Sequence, residues 1–277
     1  MAARLGANRY GKDGIRLVLV DRDSGRDTLR DITVDVRLTG DFDAVHVEGD
    51  NSSVLPTDTM RSTVYALAQE HLTGAIEDFA LALSRRFLAV SPAAHWAEVG
   101  IREHAWLPLA DRPHAFVGGA AELTTCEVAV PREGASEVTT GIEGLAVLKT
   151  TGSAFSGFLR DDLTVLTETD DRILATAVTA SWRQDGDAYD VTRPAVRAAL
   201  VDAFAGHDDS QSVQHSLWVM GRAVLDAVEA VKSVTLVMPN KHHVLVDLEP
   251  FGIANERAVY VATDRPFGVI EGTVERA

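Results

Sequence analysis

One cysteine in 277 residues, Cys126, closes several chemistries at once. A lone thiol excludes an intrachain disulfide and a thiolate zinc centre, and it fits a reducing compartment. Cys126 sits in the alternating run of residues 123–130, so it reads as strand packing rather than as a nucleophile. Positive charge is also scarce. Lys and Arg number 26 against 41 Asp and Glu, a formal net charge of −15. That balance disfavours nucleic acid as a partner, because phosphates demand a basic face. An anionic ligand would need a local Arg or Lys. No apolar run approaches the roughly 20 residues that span a bilayer. Residues 1–6 lack the apolar stretch of a secretory signal. Residues 274–277 carry neither a peroxisomal tripeptide nor a lipidation box. The expectation is a cytoplasmic, bacterial-type protein with no membrane partner.

What is present is enough apolar material for a large core. Hydrophobic residues make up 46% of the chain, and the length suits one large domain or two of medium size. Residues 15–20 are apolar and β-rich. After the turn-like Asp21-Arg22-Asp23-Ser24-Gly25, the alternation Ile32, Val34, Val36, Leu38 predicts the second strand of a hairpin. A helix is expected over residues 58–70, entered from Thr57-Asp58-Thr59. A clearer amphipathic helix over 76–88 carries Ile76, Phe79, Ala80, Leu83 and Phe87 on one face. Strands follow over 95–107 and 115–130. The second half repeats this order, with strands over 137–148 and 172–182, helices over 192–206 and 210–231, and strands over 234–238, 244–248 and 258–263. Two strand-strand-helix-helix-strand-strand units in tandem are therefore expected, residues 1–133 and 134–277, joined at the polar stretch 131–135.

The densest chemistry lies in Pro239-Asn240-Lys241-His242-His243, followed by the apolar run 244–248, which reads as a buried strand. An amide, a cation and two imidazoles at its mouth are costly to bury unpaired. Adjacent histidines on a strand point to opposite faces, so His242 and His243 do not readily share a metal. The other histidines show no helical ligand spacing.

Six motifs in order resemble the urate oxidase family over nearly the whole chain. They are Asn8-Arg9-Tyr10-Gly11-Lys12, Pro56-Thr57-Asp58-Thr59, the segment 148–161 around Phe155 and Phe158, Glu168-Thr169-Asp170-Asp171-Arg172, Ser212-Val213-Gln214, and Pro239–His243. Only residues 91–111 resemble the family weakly. The resemblance implies an α+β chain of two tunnelling-fold (T-fold) units. Their antiparallel sheets carry helices on one face, and subunits assemble into a barrel. It implies a homotetramer with active sites at subunit interfaces and with neither metal nor organic cofactor. It also implies that urate reacts with dioxygen and water to give 5-hydroxyisourate and hydrogen peroxide, a step of purine degradation.

The same resemblance assigns roles, and the residue types suit them. Urate is a flat, electron-rich anion edged with donors and acceptors. Phe155 would stack on it, and the planar guanidinium of Arg172 would grip it in plane with two parallel hydrogen bonds. Gln214 offers an acceptor beside a donor. The backbone N–H of Asp58 would meet the ring edge, and Leu166, Val213 and Ile270 would wall the pocket. Lys12 and Thr57 match the family's proton-removing dyad, since a lysine partly removed from water gives up its proton more readily. His242 would relay protons. Asn240 and the Thr57 hydroxyl would hold dioxygen and its reduced forms. His243 stands where relatives sometimes have an aromatic, and a supporting role at most is expected of it. No longer tail follows Ala277, which would lower tetramer stability. Each residue alone also has a bland reading: a solvated Lys12, a capping Thr57, a core Phe155, an Arg172 paired with Asp170 or Asp171. Two rivals follow from other classes: a metal enzyme of the same fold, like the pterin-processing relatives, and a non-catalytic purine binder, which would have no use for Lys12 and Thr57.

Overall fold

The computed structural model describes residues 3–22 and 25–277. Met1 and Ala2 of the N-terminal reading and Asp23 and Ser24 of the expected hairpin turn lie outside the described residues. The chain divides into two units, Met1–Gly141 and Ile142–Ala277.

The first unit runs β1 (Tyr10–Asp21), β2 (Thr28–Gly40), a short α1 (Asp43–Val47), α2 (Thr57–His71), α3 (Ile76–Val90), β3 (Ala94–Pro108) and β4 (Phe116–Pro131). Its strands lie antiparallel in sequence order. Ile32, Val34, Val36 and Leu38 are fully buried. Their period of two turns one face of β2 inward. The helices answer with a period near 3.6: Ile76, Phe79, Leu83 and Phe87 of α3 and Met60 and Val64 of α2 fill the same core. The five residues of α1 are too few to leave a periodic trace, and the sequence reading had no helix there.

The second unit begins in β5 (Glu137–Lys149) and continues through β6 (Leu174–Gln184), α4 (Tyr189–Gly206), α5 (Val213–Ala227), β7 (Val231–Leu245) and β8 (Tyr260–Glu275). Val178, Ala180 and Trp182 of β6 pack with Val196 and Leu200 of α4 and Met220 of α5. Apart from the short α1, the two-strand, two-helix, two-strand order occurs in each unit, and the chain is α+β as expected.

A repeated device fixes the second helix of each pair. Arg132, just past β4, donates from Nε to the Ala94 carbonyl (2.8 Å) and from Nη2 to those of Leu88 (3.0 Å) and Ser91 (2.8 Å). Arg276, just past β8, donates from Nε to Val231 (2.8 Å) and from Nη2 to Val228 (3.0 Å) and Leu225. From Nη2 each guanidinium collects carbonyls left over at a helix C-terminus, where a cation is favoured, while Nε holds the first residue of the next strand. Identical use of an arginine at corresponding places supports duplication where residue identity between the halves is faint.

The strand after Pro239 differs from its reading. Residues 234–238 and the start of 244–248 form one strand, β7, and residues 246–248 are outside it. Val244 and Leu245 are 56% and 44% exposed, so the run is not a buried strand. β7 outruns the core here, and its partners on β8, Val261 and Tyr260, lie outside the core as well. Pro239 does not break the strand. Pairing with β6 keeps one register on either side of it, Thr179 opposite Val237 and Ala175 opposite Lys241.

Candidate active site

The first unit carries three of the predicted residues, Lys12, Thr57 and Asp58. Lys12 lies in β1 opposite Val36, half-buried, immediately before a bulge at Asp13 and Gly14. Gly14 adopts φ 66°, and its N–H donates to Asp35 Oδ1 at 2.7 Å, while Arg37 pairs with Asp13. A bulge with glycine in the left-handed region twists the strand and re-aims the side chains beside it. Gly11 is required here, because a Cβ would stand 1.8 Å from the Val36 carbonyl oxygen. Thr57 is the first residue of α2, with Pro56 in the capping position, so Thr57 is not the N-cap. Asp58 is exposed and pairs with Arg61 at 2.6 Å. Leu55 N–H donates to the Tyr10 hydroxyl at 3.0 Å. That bond ties the strand of Lys12 to the approach of Thr57. Nothing in residue spacing pointed to it, although Tyr10 belongs to the recognised motif.

The second unit carries the rest. Phe155 exchanges backbone hydrogen bonds with Thr169 (2.8 and 3.1 Å), and Arg172 N–H donates to the Ser153 carbonyl at 2.7 Å. Those bonds bring Arg172 beside Phe155. Its guanidinium lies 5.2 Å from the Phe155 ring centre, and Phe158 stacks on the same ring at 5.0 Å and 15°. Arg172 does not pair with Asp171. That carboxylate takes Thr151 Oγ1 (2.9 Å), Gly152 N–H (2.9 Å) and Arg257 (3.0 Å). Burial alone would raise the Asp171 carboxyl, but those donors and Arg257 hold it below its ordinary value. Arg172 Nε is buried with no partner, and burial pulls the guanidinium below its ordinary range. A buried N–H without an acceptor is costly until a ligand supplies one.

Val213 is buried and opens α5, with Gln214 exposed beside it. Ser212 caps this helix, its Oγ accepting from His215 N–H at 3.1 Å. Ser210 joins the helix start to the Phe155 segment. Its carbonyl accepts from Ala154 N–H (2.7 Å), its N–H donates to Gly152 (3.2 Å), and its Oγ meets Ser216 Oγ at 2.8 Å. The sequence reading passed over Ser210 and Ser216, which carry no distinctive spacing. Leu166 is 54% exposed in the loop beyond Phe158.

On β7, Asn240 pairs with Gly268 while His242 pairs with Thr263, so β8 carries extra residues across a single step of β7. Residues two apart on a strand share a face, which puts Asn240 and His242 together. Thr263 Oγ1 donates to the His242 carbonyl at 3.3 Å, and His243 Nδ1 lies 3.3 Å from the Lys241 carbonyl. Ile270, opposite Met238, packs on the second core. Among the described residues no three His, Cys, Asp or Glu side chains group to hold a metal ion. Among them, no helix is long and apolar enough to cross a membrane.

Comparisons with known proteins agree on one family. The sequence model of the Uricase family matches residues 8–129 and 138–271. A uricase of Arthrobacter globiformis is 41% identical over 98% of this chain and 90% of its own length. A uricase of Danio rerio is 34% identical over 96% and 93%. The crystal structure of the Arthrobacter globiformis uricase aligns with a TM-score of 0.94 at 40% identity, covering 100% of this chain and 96% of that one. A urate oxidase from Bacillus sp. TB-90 aligns with a TM-score of 0.85 at 20% identity, and speaks for the fold alone.

Proposed function

This chain belongs to the uricase family, and from that premise we propose how its residues carry out the oxidation of urate. The observation that carries the reading is the Arg172 guanidinium, half-buried, unpaired at Nε and held over the Phe155 ring. Urate supplies an anionic edge for the Arg172 fork and a flat π surface against the Phe155–Phe158 pair. Gln214 reads a carbonyl beside a ring N–H, and Val213, Leu166 and Ile270 limit the plane. The Asp58 N–H, free at the first turn of α2, meets the ring edge.

Lys12 takes a proton from urate through the Thr57 hydroxyl, and His242 relays protons to and from the site. The dianion then gives two electrons to dioxygen. Water adds at the oxidised carbon, and the balanced products are 5-hydroxyisourate and hydrogen peroxide. Asn240 and Thr57 donate hydrogen bonds to the oxygen species as negative charge builds on them. No residue in this scheme calls for a metal or an organic cofactor.

Lys12, Thr57 and Asp58 lie in the first unit and the other groups in the second. We assign the first set to one copy and the second to its neighbour, in a homotetramer of interface sites and barrel-forming sheets, located in the cytoplasm. Complementation tests this. Mixing Lys12→Met and Arg172→Met chains, refolded together, restores about a quarter of the parent activity if sites form between copies. Mixtures as inactive as the separate variants would refute shared sites. Loss of urate absorbance, oxygen uptake and peroxide yield are followed together. Lys12→Met and Thr57→Ala should lower kcat by roughly 10²- to 10⁴-fold. Parent-like turnover in either would remove the dyad from the mechanism.

A further inference from the structure

We propose that His207 and His215, backed by Lys149, form a proton-sensitive brace that sets the Val213–Gln214 helix start against the Phe155 segment. The urate site is then fully assembled only while both imidazoles are neutral. The proposal rests on the reading that Phe155 and Gln214 hold urate.

The two rings meet edge to face, their centres 4.5 Å apart. His207 is the residue that follows α4, and His215 lies in the first turn of α5 next to Gln214. The Lys149 ammonium, from the end of β5, donates to the His207 carbonyl at 2.5 Å and lies 5.5 Å from the Phe204 ring centre. Between the histidines runs the short loop that holds Ser210, whose backbone pairs with Gly152 and Ala154 and whose hydroxyl meets Ser216. One end of the brace thus leads to Phe155 and the other to Gln214.

Neither imidazole is placed to carry a second proton. His207 Nε2 is buried with no partner, so an N–H there would have no acceptor. His215 Nδ1 accepts the Gln211 N–H at 3.4 Å. A proton on that nitrogen would break the bond and set two N–H groups face to face. Two cations 4.5 Å apart would also repel each other and Lys149. The charged groups around His207 pull in both directions. Burial, then His215 from α5 and Lys149 from β5 depress its protonation, and Asp209 and Asp208 of the loop oppose them; the net direction is below the ordinary histidine value. Asp209 is itself engaged by the Gln211 side-chain amide at 2.5 Å. Protonation therefore expels the cluster from its packed geometry and frees the loop that aligns both arms of the site.

The test is the pH dependence of urate KM and kcat, measured separately from pH ~5.5 to ~8.5, for the parent, His207→Phe and His215→Phe. A phenyl ring keeps the edge-to-face contact and cannot titrate. The parent KM should rise on acidification, approaching roughly tenfold per pH unit below the titration of the pair, the limit when only the neutral form binds. Each Phe variant should keep the parent KM near pH 8 and show a smaller acid rise, and the double variant should lose it, with the kcat profile unmoved. Lys149→Met, which removes a repelling cation, should start the rise at higher pH. Without any substitution, histidine ring NMR under argon should show the His207 ring titrating below the ordinary value and lower still with urate bound, by reciprocity. Phe variants that reproduce the parent KM profile, or ring titrations unmoved by urate, overturn the brace. Phe155→Ala and Gln214→Ala at pH 8 separate the two levels. An unchanged KM there sinks the urate-site assignment, whereas a raised KM with unaltered profiles in the His variants sinks the brace alone.

Discussion

Replacing Arg172 by lysine tests the substrate site most sharply, because it keeps the charge and removes the planar fork. In the unliganded protein the guanidinium is half-buried and its Nε has no partner. Its desolvation is already present before urate arrives, and burial holds its pKa below the ordinary range. Two parallel charge-assisted hydrogen bonds to an anion contribute about 1.5–3 kcal/mol each. Lysine makes one such bond as a point charge, so Arg172→Lys should cost about 1.5–3 kcal/mol. That is roughly 10- to 150-fold in kcat/KM. Most of it should appear in KM, since the clamp grips substrate before the transition state forms. Arg172→Met loses both bonds and should fall roughly 10²- to 10⁴-fold. The same methionine removes a buried unpaired donor, so the melting temperature should stay level or rise. Initial-rate urate oxidation and thermal melts on the same samples provide both readings. Arg172→Lys within threefold of the parent, or Arg172→Met losing activity only by unfolding, would refute the argument.

Further predictions concern the parts that hold the site. Gly11→Ala would place a Cβ 1.8 Å from the Val36 carbonyl oxygen, so β1 and β2 must separate beside Lys12; activity should fall by more than tenfold, and a fully active variant would contradict the close approach. Arg132→Ala and Arg276→Ala should each destabilise by about 1–3 kcal/mol, as charge-assisted bonds to helix-end carbonyls are replaced by water. Urea titration checks this, and a neutral result for either would deny the two arginines equivalent roles. Asp171 is held below its ordinary value, so its contribution to stability is full above pH ~3.9 and is lost as pH falls through its folded-state value. The stability difference between parent and Asp171→Asn should shrink on acidification below that point, and a difference independent of pH would rule out this linkage.

The alternation of Ile32, Val34, Val36 and Leu38 and the helical spacing of Ile76, Phe79, Leu83 and Phe87 were legible because burial imposes a period on each element. The ordered motifs were equally legible, since their residue types match one chemistry and recur in sequence. α1 was not, being shorter than two turns of any periodic signal. The apolar residues 244–245 were misread as buried because composition does not reveal where a strand outruns its core. Gln214 looked like an ordinary helix residue, and only the Ser212 cap shows that it stands at a helix start.

Local pattern thus settled the order of strands and helices, and the residue types settled the family. Long-range hydrogen bonds decided the rest: Arg257 rather than Arg172 takes Asp171, Tyr10 binds the approach to Thr57, and Ser210 couples Phe155 to α5. Such pairings join residues far apart in the chain, and their partners are chosen by where packing leaves each donor and acceptor. Periodicity acts over a few residues and carries no trace of that choice.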